Sequence, residues 1–204
     1  MTDFWNEVSK CANCHPEMPC EFHLGEFARQ FKNIGETPET LMSMALGMAS
    51  ESRDPSTQNA AFLAMPNGIP ILETAAVNSF PKGVAQTQDR WKRPVKYDFV
   101  EHAERNVIYT AARLGISTDG MTLVAVWAAC SDCARAIIQS GISRVIRYHH
   151  EDEPSHWHDK IMNAQAMLAE AGVEVITLES EHPNAPTLRY NGEAWRPNQP
   201  SSIS

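Results

Sequence analysis

The stretch from Thr122 to Leu178 constrains the fold most, because short apolar runs alternate there with amphipathic ones. Thr122 to Ala128 reads as a buried strand, and Ser131 to Ser140 as a helix closed by Gly141. Arg144 to Tyr148 is a second strand, Trp157 to Ala171 a helix ended by Gly172, and Val173 to Leu178 a third strand. Apolar runs this short, bounded by turn residues, suit strands, and the longer periodic segments suit helices. Strand–helix–strand–helix–strand needs crossover connections, so the segment predicts an α/β layered fold.

Upstream elements extend this pattern. Pro38 to Ser52 predicts a helix with Thr37 as its cap, Glu39 in the first turn and an apolar face that includes Leu41, Met42, Ala45 and Leu46. Ala60 to Met65 and Ile69 to Val77 flank Pro66-Asn67-Gly68 and predict a hairpin. Asn78 to Asp98 carries Pro81, Gly83 and Pro94 and reads as a long loop, a class of segment that is often functional. Glu101 to Leu114 predicts a helix stopped by Gly115. Thr187 to Trp195, with Asn191-Gly192 at its centre, predicts a terminal hairpin. The domain reading is therefore an appendage over 1–36, a catalytic domain over 37–180 and an extension over 181–204.

Charge and cysteine usage narrow the function. Hydrophobic residues make up 43% and charged residues 21% of the chain, a globular balance that excludes a disordered chain, a collagen repeat or a coiled-coil rod. The net charge of −8 and the lack of a Lys/Arg run argue against a large nucleic-acid footprint. A small anionic substrate needs only one or two local cations. No apolar stretch approaches the ~20 residues of a membrane span. The N-terminus shows no basic segment followed by an apolar one, so no signal peptide and a cytoplasmic location are expected. An odd count of 5 cysteines argues against a disulfide framework and favours metal ligands.

The chemistry sits in His102-Ala103-Glu104 and Cys130-Ser131-Asp132-Cys133. His102 and Glu104 open one predicted helix, and the two cysteines sit where a strand enters another. One imidazole and two thiolates are three zinc ligands, which leaves a fourth position for water, the catalytic arrangement. Helix N-termini there favour thiolate over thiol. Glu104, two residues from the ligand His102, is placed to move protons without binding the metal. Either motif alone is weak evidence. Together they match the H-x-E…P-C-x-x-C signature of zinc nucleobase deaminases.

Over about residues 40–178 the chain resembles the cytidine and deoxycytidylate deaminase family, with the deoxycytidylate (dCMP) branch most similar. The segments that carry the resemblance are SRDPSTQNAA (52–61), VNSFPKGVA (77–85), KYDFVEHAERNVIYTAARLG (96–115), GMTLVAVWAACSDCARAIIQSGISRVI (120–146) and AGVEVITL (171–178). The resemblance implies a three-layer α/β/α sandwich around a mixed five-stranded sheet. It implies hydrolytic deamination of dCMP or a close cytosine nucleotide to the uracil form. Zinc held by His102, Cys130 and Cys133 would activate water, and Glu104 would carry protons to N3 and to the departing ammonia. It implies that the Ala103 N–H holds the base carbonyl, that Asn78 contacts the sugar and that Tyr148 lies beside the substrate. Arg53, Lys82, Arg90 and Arg93 are candidates for a phosphate contact. The partner is then a small pyrimidine nucleotide, with no membrane and no nucleic acid, and a homo-oligomer is expected. Two departures stand out: Ala129 replaces the family's proline before the first cysteine, and Asn59-Ala60-Ala61 lacks its usual glycine.

Cys11, Cys14, Cys20 and His23 form a second group with the spacing of a closed structural zinc clip, in which His15 could replace His23. His149, His150, His156 and His158 read as a solvated loop and helix start. Competing functions are deamination of a free nucleoside, base or modified cytosine, tRNA adenosine deamination, or a non-catalytic zinc-stabilised binding module. The acidic balance disfavours tRNA, and the presence of Glu104 disfavours the binding module.

Overall fold

The computed structural model describes residues 35–148, 157–179 and 182–197. The chain divides into two units, Met1–Gly35 and Glu36–Ser204, and every described helix and strand belongs to the second. The candidate clip of Cys11, Cys14, Cys20 and His23 lies outside the described residues.

Alternation along the strands sorts the core into two faces. In β1 (Ala60–Ala64), Ala61 and Leu63 point to one side of the sheet, and Ala60, Phe62 and Ala64 to the other. All five are buried, as expected of a strand covered on both faces. β1 pairs antiparallel with β2 (Pro70–Val77) and with β3 (Thr122–Ala125). β3, β4 (Arg144–Tyr148) and β5 (Glu174–Leu178) run parallel. The order β2-β1-β3-β4-β5 is the expected mixed five-stranded sheet. Its register shifts between Ala61 and Leu63, where the buried Thr74 hydroxyl replaces a strand partner. Thr74 Oγ1 accepts from Leu63 N at 2.9 Å and donates to Ile71 O at 2.6 Å.

Helix α1 (Pro38–Ala49) covers one face, packing Leu41, Met42, Ala45, Leu46 and Ala49 on Phe62, Val124 and Ile146. The side chain of Thr37 caps it, accepting from Thr40 N at 3.3 Å. After the expected long loop begins, a 3₁₀ turn (Gln88–Trp91) and a short helix α2 (Lys96–Phe99) give it structure that periodicity did not reveal. Phe80 organises them, meeting Trp91 edge-on at 4.6 Å and Phe99 at 6.3 Å. The other face carries α3 (Ala103–Leu114), α4 (Ser131–Gln139) and α5 (His158–Glu170). Their core includes Val107, Ala111, Ala134, Ile137, Ala164 and Leu168 against Leu63, Leu123 and Val145.

One glycine has no substitute. Gly141 ends α4 at φ +76°, and a Cβ there would meet Asp119 Oδ1 at 2.5 Å. The terminal hairpin forms from β6 (Leu188–Tyr190) and β7 (Glu193–Trp195). It packs against the sheet domain, because Leu188 is fully buried in the α1-side core and Tyr190 and Trp195 pack there too. Gln58 ties it down: Gln58 N donates to Arg189 O at 2.9 Å, and Arg189 N donates to Gln58 Oε1 at 3.0 Å. Among the described residues, no helix is long and apolar enough to cross a membrane.

Candidate functional site

Two helix starts meet beside the sheet. His102 is the N-cap residue of α3 and Cys130 that of α4, both with extended backbone. Neither side chain caps its own helix, which leaves both free for other partners. Cys133 sits one turn into α4, on the same side as Cys130. The sulfurs of Cys130 and Cys133 are 3.6 Å apart, and His102 Nδ1 lies 3.6 and 3.5 Å from them. Zinc in tetrahedral geometry, with bonds of about 2.3 Å to sulfur and 2.0–2.1 Å to nitrogen, spaces two sulfurs about 3.8 Å apart and sulfur and nitrogen about 3.6 Å. The donor set and its spacing fit zinc, and both cysteines are free of disulfides.

Without a metal the three groups titrate apart, and Cys130 is the one held as a thiolate. The Cys133 thiol hydrogen bond and the neighbouring His102 bring Cys130 down to about 3 against the opposition of burial. Cys133, the donor in that bond and buried, is pushed well up. Burial acts most strongly on His102 and lowers it, but the hydrogen bond to Cys130 and the charges of Glu104 and Cys130 together leave it raised. Glu104 is 2% exposed, and burial holds its carboxyl above the ordinary glutamate range. It lies on the first turn of α3, inside the cavity and apart from the ligand trio.

That cavity encloses about 950 Å³, its open mouth included. Its walls come from distant parts of the chain, with His102, Glu104 and Cys130 at the chemistry and Arg93, Lys96 and Arg147 as cations. Trp157 meets the His102 ring edge-on at 5.7 Å and Tyr97 at 5.6 Å. Trp127 gives another wall, donating Nε1–H to Gln58 O at 2.7 Å and packing on Tyr190 at 4.6 Å. The hairpin tip completes the rim, with Asn191 Oδ1 accepting from Arg93 Nη2 at 3.1 Å.

The residues singled out from sequence divide. Asn78 lines the cavity, and its Oδ1 accepts from Ala103 N at 2.9 Å while its Nδ2 donates to Thr57 O at 2.9 Å. It caps α3 from outside the helix. The Ala103 N–H expected to hold a base carbonyl is therefore engaged by Asn78 in this structure. Tyr148 lies elsewhere, 3% exposed in the α1-side core against His182 and Trp195. Strand side chains alternate, so its neighbour Arg147 is the one that faces the cavity. Arg53 is exposed and absent from the walls, because the same alternation turns Ser52 and Asp54 inward. Lys82 is exposed, and Arg90 stacks on Phe99 at 4.4 Å, so of the four cations considered only Arg93 reaches the rim. No role was read from the sequence for Asn59, Lys96, Trp127, Arg147 or Trp157, although the first three lie in segments that carry the family resemblance. A signal for Arg147 was present in the strand alternation.

Among the described residues, three groups able to ligate a metal gather beside a cavity, an arrangement closer to a catalytic centre than to a closed structural site. The chain belongs to the cytidine and deoxycytidylate deaminase zinc-binding family, whose model matches residues 35–149. It is 36% identical to an uncharacterized deaminase encoded in the luxG 3′ region of Aliivibrio fischeri, over 71% of this chain and 95% of that protein. It is 31% identical to human deoxycytidylate deaminase over 58% of this chain and 70% of the relative. Among solved structures it resembles the dCMP deaminase of cyanophage S-TIM5 in complex with dCMP and dUMP. That likeness has a TM-score of 0.54 and 25% identity, and covers 69% of this chain and 95% of the other.

Proposed function

We propose that this enzyme converts dCMP, or a close cytosine nucleotide, to the uracil nucleotide with release of ammonia. The observation that carries the reading is the shared cavity, lined by His102, Cys130 and Glu104, with Cys133 beside them, and also by Arg93 and Arg147. A cytosine nucleotide needs both, chemistry at its base and cations for its phosphate.

His102, Cys130 and Cys133 would hold zinc, which would supply the Lewis acidity that brings the pKa of water towards neutrality. Glu104 takes a proton at its carboxylate and returns it to the base. Burial raises its proton affinity, as suits a group that must hold a proton between steps. Asn78 Oδ1 has a second lone pair beyond the one used by Ala103 N–H, open to a sugar hydroxyl. Trp127, Trp157 and Tyr97 exclude water from the base.

The test is ammonia release by zinc-loaded protein from dCMP, CMP, deoxycytidine, cytidine, cytosine and guanine in parallel. Turnover of dCMP well above deoxycytidine is expected. Arg93→Ala should raise KM for dCMP about tenfold and leave any deoxycytidine activity unchanged. Preference for a nucleoside or free base would keep the zinc chemistry and overturn the nucleotide. No release from any compound, with zinc bound, would favour a modified cytosine or a binding module.

A further inference from the structure

One polar group in the cavity has no place in the reading above. Asn59, just before β1, is 4% exposed and lines the cavity wall. Its Nδ2 donates to Glu104 Oε2 at 3.3 Å. The Oδ1 of the same amide is buried and has no hydrogen-bond partner among the described residues. The hydrogen bond to Glu104 occupies the Nδ2 end of the amide and leaves Oδ1 as the end available to a donor. A buried acceptor left without a donor is unfavourable, and such groups invite a functional explanation.

We propose that Asn59 Oδ1 accepts a hydrogen bond from the exocyclic amino group of the base being deaminated, while Nδ2 holds Glu104 beside that amine. The inference rests on the deaminase reading of this cavity. Both ends of a planar amide lie side by side, so a donor that reaches Oδ1 lies next to Glu104, the group that delivers a proton there. On the reacting edge of cytosine, the N4 amine is the donor. Two other polar side chains of the cavity wall are engaged within the protein: Asn78 on Ala103 and Thr57, and Lys96 on Asp54. Asn59 thus reads the substrate at the atom that distinguishes it from the product, whose carbonyl oxygen would oppose Oδ1.

The experiment compares Asn59→Leu with wild type in the zinc-loaded protein, using dCMP and its 2-pyrimidinone analogue, which lacks the amine. The expected result is a loss of about ten- to a hundredfold in kcat/KM for dCMP. The calorimetric Kd of the pyrimidinone nucleotide should stay within about threefold, because that ligand has no donor for Oδ1. Equal weakening of both ligands, or no change in either, overturns the proposal. Asn59→Val gives the same comparison if the Leu variant does not fold. A wild type that neither deaminates dCMP nor binds the pyrimidinone nucleotide refutes the functional reading itself, and this proposal with it.

Discussion

Replacing Lys96 with Met should destabilise the protein sharply, although the substitution puts an apolar side chain into a buried place. Lys96 is 5% exposed and Asp54 fully buried. The ammonium reaches both carboxylate oxygens, at 2.8 and 2.7 Å. Asp54 keeps two further donors, Ser56 N at 2.8 Å and Thr57 N at 3.2 Å. Breaking a buried pair by removing one partner costs about 3–5 kcal/mol, because the other charge stays buried. The two backbone donors put Lys96→Met at the low end, about 3 kcal/mol. At roughly 2–4 °C per kcal/mol for a domain of this size, the midpoint should fall by about 6–12 °C. The double variant Asp54→Asn with Lys96→Met should lie within about 1 kcal/mol of wild type. The reason is visible in Lys96, where burial outweighs the attraction of Asp54 and lowers its pKa, so the intact pair is itself an expense of folding. Urea unfolding of wild type, both singles and the double, followed by circular dichroism, closes the cycle. A single variant within about 1 kcal/mol of wild type, or a double as damaged as the sum of the singles, would refute the argument.

Three further outcomes follow from the site. Glu104→Gln should lower kcat by about 10²–10⁴ with zinc content unchanged, since Glu104 stands apart from the ligand trio; kinetics with metal analysis checks both. Cys133→Ala should lower bound zinc by about one equivalent per chain, as measured by mass spectrometry of the metal. The third concerns pH in the metal-free protein. Cys130 is shifted from 9.0 to about 3, so its thiolate stabilises the fold above the ordinary thiol range, and this is lost as pH falls towards about 3. Cys130→Ser should therefore show a smaller drop in unfolding midpoint between about pH 8 and about pH 4 than the native chain does. An unchanged drop would show that the thiolate is not held in this way.

Much of this was legible in the sequence because it is local. The H-x-E and C-x-x-C motifs name their residues, and helix starts bring them to one side. The parallel strands and their crossovers were readable from apolar period and terminal glycines, and the β1–β2 hairpin from Pro66-Asn67-Gly68. What stayed hidden depends on long-range contact. Lys96 and Asp54 stand 42 residues apart, and nothing local marks them as partners. Asn59 precedes an apolar run and looks like a strand entry, until folding brings Glu104 across from 45 residues away. Tyr148 and Arg147 show a subtler failure. The element was placed correctly, but adjacent residues on a strand face opposite layers, so an assignment one position out moves from cavity to core. The role of the hairpin in the cavity wall had no sequence signal, because it depends on Gln58 meeting Arg189 131 residues away.

The two helix caps that carry the ligands leave the site with few mechanical degrees of freedom. Cys130 and Cys133 ride on one helix, so their separation is a property of α4 and not of any loop. His102 rides on the other, and only the placement of one helix end against its neighbour remains to be set. The packed layer of α3 and α4 on the sheet sets it, with Val107, Ala134 and Ile137 buried in one core with Leu63, Leu123 and Val145. The alanine at position 129 is then intelligible. A proline would stiffen a turn whose geometry is already dictated from both sides, by β3 before it and α4 after it. A substitution at that turn is mechanically cheap, whereas a change that tilts α3 against α4 would spoil both distances from His102 Nδ1 to the sulfurs at once.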